Sequence, residues 1–201
     1  MILYGILAAA IVAGDQLVKW WAVKALGPGG SWDVLPGIFS LTYAENQGAA
    51  FSILEGKRLF FVGMTVVMIL LMLLLLKKGY IVGLWGKTAA AFVIGGALGN
   101  GIDRVLRGYV VDMFEVRFIR FAIFNVADIF ITVGGVMLVI YWLMSCIISV
   151  IQNALAIGVG SVVNVPAPYA LLCGAISMIG GHGAASAYGG TFELMGYSAG
   201  T

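Results

Sequence analysis

Two aspartates, Asp112 and Asp128, stand with no basic residue three or four positions away in sequence. Neither can be neutralised by a helical neighbour. Asp128 lies in "FNVADIFITVGGVMLVIYW", residues 124–142, an otherwise apolar helix pattern. A carboxylate at the centre of a membrane helix costs roughly 2.5–3.5 kcal/mol on insertion scales, and less near its end. Two carboxylates that meet in a low-dielectric setting cannot both ionise, so they share a proton. Such a pair can activate water: the ionised member takes a proton from it, and the protonated member donates to a carbonyl oxygen. The 16 positions between them, across a surface segment, permit that meeting.

Other polar residues recur at helix ends. Asp15 and Lys19 share a helical face, as do Asn100, Asp103 and Arg104. Asn125 precedes Asp128 by one turn, and "ENQGAAF" supplies Glu45 and Asn46. For Asp15 with Lys19, and for Asp103 with Arg104, plain interfacial ion pairs that snorkel to water are an equal alternative.

The elements that must carry these groups are membrane helices. Of 201 residues, 62% are hydrophobic and only 10% charged, with mean hydropathy +1.06. Soluble domains carry about 25% charged residues. Four apolar runs cover residues 2–26, 59–76, 88–106 and 124–148. The second, of 18 uncharged residues, would span about 27 Å. Met1 runs straight into apolar residues without a basic stretch, so the first run reads as a retained helix. Trp20 and Trp21, between Lys19 and Lys24, mark an interface. Residues 27–58 are too polar and too rich in Gly and Pro to span, and "IFSLTY" alternates as a strand does. Residues 107–123 alternate similarly. The expected fold is an all-α polytopic membrane protein of four transmembrane helices with a small, partly β cap and an apolar C-terminal extension.

Four spans put both ends of that unit on one side. All basic residues except Lys77, Lys78 and Lys87 then share the other side with every acid before position 145. Taken alone, the positive-inside rule would turn that charged side to the cytoplasm. No basic stripe interleaved with aromatics indicates nucleic acid. Cys146 and Cys173 lie in apolar stretches and read as packing or lipid-facing residues, and no metal-ligand spacing occurs.

"DQLVKWW", "ENQGAAFSIL", "GGALGNGIDRVLRGYVVDMFEV" and "FNVADIFITVGG" follow one another in the order and spacing of the lipoprotein signal peptidases (signal peptidase II). The resemblance covers residues 1–144. It implies a four-helix aspartyl protease of the bacterial inner membrane with its active site facing the periplasm, which reverses the orientation that the basic residues alone favour. It implies Asp112 and Asp128 as the catalytic pair. Asp15, Lys19, Asn46, Gly48, Asn100, Asp103, Arg104, Asn125 and Ala127 would bind substrate or support the site. It implies no cofactor, diacylglyceryl-modified prolipoproteins and membrane lipids as partners, and a monomer. One departure is the missing basic residue with which family members often begin.

Glu193 is the one charged residue after position 144. "GAISMIGGHGAASAYG" resembles a segment of sodium–glutamate symporters. Residues 145–201 are therefore read as a fused or misjoined extension that adds about one further span, with His182 outside any proteolytic role. The rival function is an ion-coupled carrier using membrane carboxylates; a non-catalytic scaffold would leave the two unpaired aspartates unexplained.

Overall fold

The computed structural model describes residues 1–48 and 56–176, with single residues at 188, 191, 194 and 196. His182, Glu193, most of the symporter-like segment and the end of "ENQGAAF" lie outside the described residues. The element order is α1 (Ile2–Ala25), β1 (Ser31–Leu35), β2 (Phe39–Asn46), α2 (Arg58–Lys77), α3 (Gly83–Leu106), β3 (Val110–Val116), α4 (Val126–Val162) and α5 (Ala167–Leu171). The expected class holds: α1 to α4 are long and apolar enough to cross a membrane, and a three-stranded antiparallel sheet in the order β1-β2-β3 forms the cap. The chain divides into two compact units, Met1–Val139 and Ile140–Thr201.

In the first unit α3 is the buried centre. It packs against α1 and α2, and small residues make this possible. Ala89, Ala90 and Ala97 are buried along it together with Gly95, Gly96 and Gly99, so backbones approach closely without a large hydrophobic driving force. A Cβ on Gly96 would sit 2.5 Å from the Ala127 carbonyl oxygen of α4, and one on Gly134 would sit 2.8 Å from the Ala89 carbonyl oxygen of α3. The adjacent Gly135 faces open space. An added methyl would therefore part α3 from α4 at 134 and be tolerated at 135. Phe92 and Phe130 close the same interface edge to face, 5.0 Å apart. By contrast α2 fully buries only Met72; Met68, Leu75 and Leu76 pack beside it, and most of its remaining apolar side chains are exposed.

The cap is tied to the helices by a small core of Ala22, Tyr43, Val111 and Met113. β1 and β2 join through Leu35-Pro36-Gly37-Ile38, where Ile38 N–H donates to the Leu35 carbonyl at 3.0 Å. Gly37 has φ +74°, the left-handed position that follows proline in a type II turn. After β3 the chain turns and comes back, and Phe124 bridges to Phe114. The sheet thus delivers the chain to the start of α4.

Two boundaries differ from the sequence expectation. α3 begins at Gly83 rather than Thr88. The expected loop over 77–87 is shortened because Val82 is extended and Gly83, at φ +71°, starts the turn. The indole N–H of Trp85 then donates to the Met137 carbonyl at 3.0 Å. α4 continues to Val162 instead of ending near 148, and among the described residues no separate further span follows. Nothing between Trp142 and Pro166 breaks a helix decisively. It stops where Asn164 turns left-handed, φ 58°, and Val165 N–H reaches back to the Gly160 carbonyl at 2.8 Å, a Schellman ending followed by proline.

Within the second unit α5 leads into one wide turn, Leu172–Ile176, broken at Gly174.

Candidate active site

At the end of the first unit nearest the cap, α1, α3, β2, β3 and α4 each contribute polar side chains to one connected network. Asp112 comes from β3 and is 1% exposed. Its Oδ2 accepts from Asn46 Nδ2 at 3.0 Å, and its Oδ1 from Asn125 Nδ2 at 2.6 Å. Asp128 is the third residue of α4. Asn125 caps that helix: its Oδ1 accepts from Asp128 N–H at 3.0 Å, while Asp128 Oδ2 accepts from Asn125 N–H at 3.2 Å. This is a reciprocal capping box with aspartate in the usual glutamate place. A carboxylate that looks costly in an apolar helix is thereby satisfied locally, at the end where the helix dipole favours negative charge. Asn125 touches both carboxylates, one through its side chain and one through its backbone.

Behind the pair lies a buried lysine. Lys19 and Asp15 on α1 and Asp103 on α3 are all 0% exposed. The three donors of the Lys19 ammonium are matched by Asp15 Oδ2 at 2.8 Å, Asp103 Oδ2 at 3.1 Å and Asn100 Oδ1 at 2.8 Å. Because Lys19 takes the oxygen of Asn100, the amide of Asn100 is turned to donate to Asp128 Oδ1 at 2.7 Å. Asn125 Nδ2 also donates to Asn100 Oδ1, at 3.1 Å. The buried ions do more than pair. Asp15 Oδ1 accepts from Ala127 N–H of α4 at 2.9 Å, and Asp103 Oδ2 accepts from Val111 N–H of β3 at 3.2 Å. The elements carrying Asp112 and Asp128 are thus each held by an aspartate that Lys19 neutralises. The ion-pair alternative for Asp15 and Lys19 fails in one respect: the pair is buried among helices and does not snorkel.

Arg104 Nη2 donates to the Gly48 carbonyl at 3.1 Å, and its guanidinium lies over Phe61, 5.0 Å from the ring centroid. It is within electrostatic reach of Asp128, Asp112 and Asp103. Gly48 N–H donates to Asn46 Oδ1 at 2.9 Å, so Asn46 is fixed by its own turn while its amide faces Asp112. Ala127 is fully buried, because Gly96 and Gly99 of α3 press on it. All eleven residues that the family resemblance implies for the site lie in this network. Glu45 does not: it accepts from the Tyr43 hydroxyl at 2.9 Å. One member escaped the sequence reading. Gln16 Nε2 donates to the Gly99 carbonyl at 3.1 Å and to Asp15 and Asp103, each at 3.3 Å, stitching α1 to α3. Its position beside Asp15 was the available signal.

Burial is the largest influence on Asp112, and the facing Asp128 adds to it. Together they push the Asp112 carboxyl up to about 7, against the opposing hydrogen bonds from Asn46 and Asn125 and the charge of Lys19. A carboxyl still protonated near neutral pH beside a second carboxylate is one arrangement in which acid and base roles can be divided. Among the described residues no cluster of His, Cys, Asp or Glu could hold a metal ion.

The chain resembles known proteins in sequence and fold. The model of the signal peptidase (SPase) II family matches residues 7–144. The lipoprotein signal peptidase of Streptococcus thermophilus (strain CNRZ 1066) is 47% identical over 131 residues, covering 65% of this chain and 86% of that protein. That of Enterococcus faecalis (strain ATCC 700802 / V583) is 41% identical over 144 residues, covering 72% and 89%. A bacterial membrane enzyme solved by the in meso method at 2.3 Å resolution superimposes with TM-score 0.69 and 32% identity, over 73% of this chain and 90% of that one. The sodium/glutamate symporter model also matches, over residues 109–200; that range holds β3 and α4 but none of α1 to α3. The family match instead takes in every element of the network, and with it relatives aligned over most of their length: the chain is a membrane hydrolase of the signal peptidase II family.

Proposed function

We propose that this chain is an aspartyl endopeptidase that removes the signal peptide from diacylglyceryl-modified bacterial prolipoproteins. It would act as a monomer at the outer, periplasmic face of the cytoplasmic membrane. The carrying observation is Asn125, hydrogen-bonded at once to Asp112 Oδ1 (2.6 Å) and Asp128 Oδ2 (3.2 Å). It holds two carboxylates from different elements around one point. With the proton on Asp112, Asp128 takes a proton from water. The resulting hydroxide attacks the scissile carbonyl carbon, and Asp112 protonates the carbonyl oxygen. Collapse of the tetrahedral adduct returns that proton to Asp112 and sends the other, from Asp128, to the leaving amine. Asn46 and Arg104 would position the peptide, Asn125 would orient the pair, and the remaining network would hold the helices. The substrate's lipid explains the site's place at helix ends, since an acyl-anchored cysteine presents its peptide at the bilayer surface.

The symporter match over 109–200 favours a carrier. Carriers, however, set their carboxylates near the midplane, on broken helices, whereas Asp128 sits in the first turn of α4. One assay separates the two. The purified full chain is expected to cleave a diacylated prolipoprotein, and a chain ending between 144 and 150 to do the same; a carrier cleaves nothing. Activity lost in the shortened yet stably inserted chain would make residues 145–201 part of the enzyme.

The raised Asp112 carboxyl sets the pH profile. It is protonated below about 7, so kcat/KM is expected to be highest there and to fall tenfold per pH unit above. The Asn46 hydrogen bond favours the ionised form. Asn46→Ala therefore moves this alkaline limb to higher pH, whatever it does to KM. A limb that stays in place would separate Asn46 from the titrating group.

A further inference from the structure

We infer that the turn after β3, residues 117–121, is a membrane-surface anchor that binds the phosphate headgroup of an acidic glycerophospholipid through Arg120. Two turns meet at this end of the sheet, since Arg117 N–H donates to the Ile38 carbonyl at 2.9 Å. Together they expose Leu35, Ile38, Phe118, Ile119 and Phe121. Large apolar side chains gathered at one end of a polar cap mark an interaction surface. Lipid is the occupant because the turn sits five residues before a membrane-crossing helix, α4. Phe121 is also continuous with that helix mouth, its ring edge to face with Phe124 at 5.7 Å.

Charge selects the kind of lipid. An open cleft of about 520 Å³ is lined by Glu115, Val116, Arg117, Ile119, Arg120 and Phe121. Both acids near it are committed to Arg117: Asp33 at 3.7 Å and Glu115 at 3.4 Å. Arg120 is exposed and has no ion pair or hydrogen bond among the described residues. Basic side chains beside apolar ones at an interface attract acidic headgroups, and a guanidinium matches a phosphate in two-point geometry. Neither Arg120 nor this cleft takes part in the carboxylate network, so the inference stands apart from the peptidase reading.

Native mass spectrometry of the full chain in micelles tests it, with phosphatidylglycerol, phosphatidylcholine and inorganic phosphate as separate probes. The first equivalent of phosphatidylglycerol is expected to bind more tightly than phosphatidylcholine. Arg120→Gln weakens it about fivefold, as one basic residue near an acidic surface would, and Arg120→Lys, which keeps the charge but not the two-point geometry, restores only part of the difference. Phe118→Ser with Ile119→Ser weakens both lipids. Equal retention of the two lipids by the wild type, or an unchanged affinity in Arg120→Gln, overturns the site. Inorganic phosphate that binds as tightly as the lipid overturns the choice of occupant.

Discussion

Asp112→Asn and Asp128→Asn are each expected to lower prolipoprotein cleavage by roughly 10²–10⁴-fold, the range that positioned acid–base groups supply. Asparagine keeps the shape, so insertion and the helix bundle should survive. At 128 an amide oxygen can still accept from Asn100 Nδ2 or from Asn125 N–H. At 112 both neighbours, Asn46 and Asn125, are donors, so the new amide nitrogen must turn away from one of them. What both variants lose is proton transfer. Groups that act as a unit are not additive, so the double variant should be scarcely slower than either single one. Product formation by gel or mass spectrometry, with micelle-exchanged protein of unchanged thermal stability, is the measurement. Full activity in either single variant would remove that residue from the chemistry.

Lys19→Met is expected to have the largest effect on stability. Removing one partner from a buried ionic cluster strands the others, at about 3–5 kcal/mol. Here two carboxylates would be stranded, Asp15 and Asp103, both fully buried. The damage would spread to the site, because those carboxylates also hold Ala127 N–H and Val111 N–H. Asn100, released from Lys19, would lose the constraint that aims its amide at Asp128. A combined Lys19→Met, Asp15→Asn, Asp103→Asn chain should recover much of the stability while remaining slow, since neutral amides can share hydrogen bonds without a cation. Thermal unfolding in micelles distinguishes these outcomes. A Lys19→Met chain as stable as wild type would mean that the cluster contributes little to holding the helices.

The membrane class and four spans were legible because apolar runs long enough to cross a bilayer have few other uses. The strands at 39–46 and 110–116 showed in alternation, but β1 was merged into an irregular cap because its five residues are all exposed and carry no inward face. The ends of α3 and α4 were misjudged for opposite reasons. The expected loop runs through Lys87 and starts the third span at Thr88, although one lysine near a helix end is tolerated; and α4 is given the length of one bilayer crossing, although nothing in the chain stops it there. In the site, spacing put Asp15 with Lys19 and Asn100 with Asp103 on shared faces. It could not say that these faces meet, since contacts such as Asp15 to Ala127 join positions 112 apart. Gly95 and Gly99 let α3 meet α1, and Gly96 and Gly134 let it meet α4; their role is visible only against the atoms they approach.

The placement of charge has a consequence for biosynthesis. Asp15 and Lys19 neutralise each other within α1, and Asp103 has Arg107 within reach, at 3.9 Å, near the end of α3. Each of these helices can therefore leave the ribosome and enter lipid with its own counter-ion. Of the four spans α4 alone brings a carboxylate with no cation of its own, and it is the fourth to emerge. A nascent chain stopped before residue 126 already holds Lys19, Asp103 and Asp112, yet lacks Asp128 and the Ala127 amide. On the proposed two-aspartate mechanism, hydrolytic competence is thus withheld until the fourth span is threaded, and the half-made protein would be an inert membrane passenger.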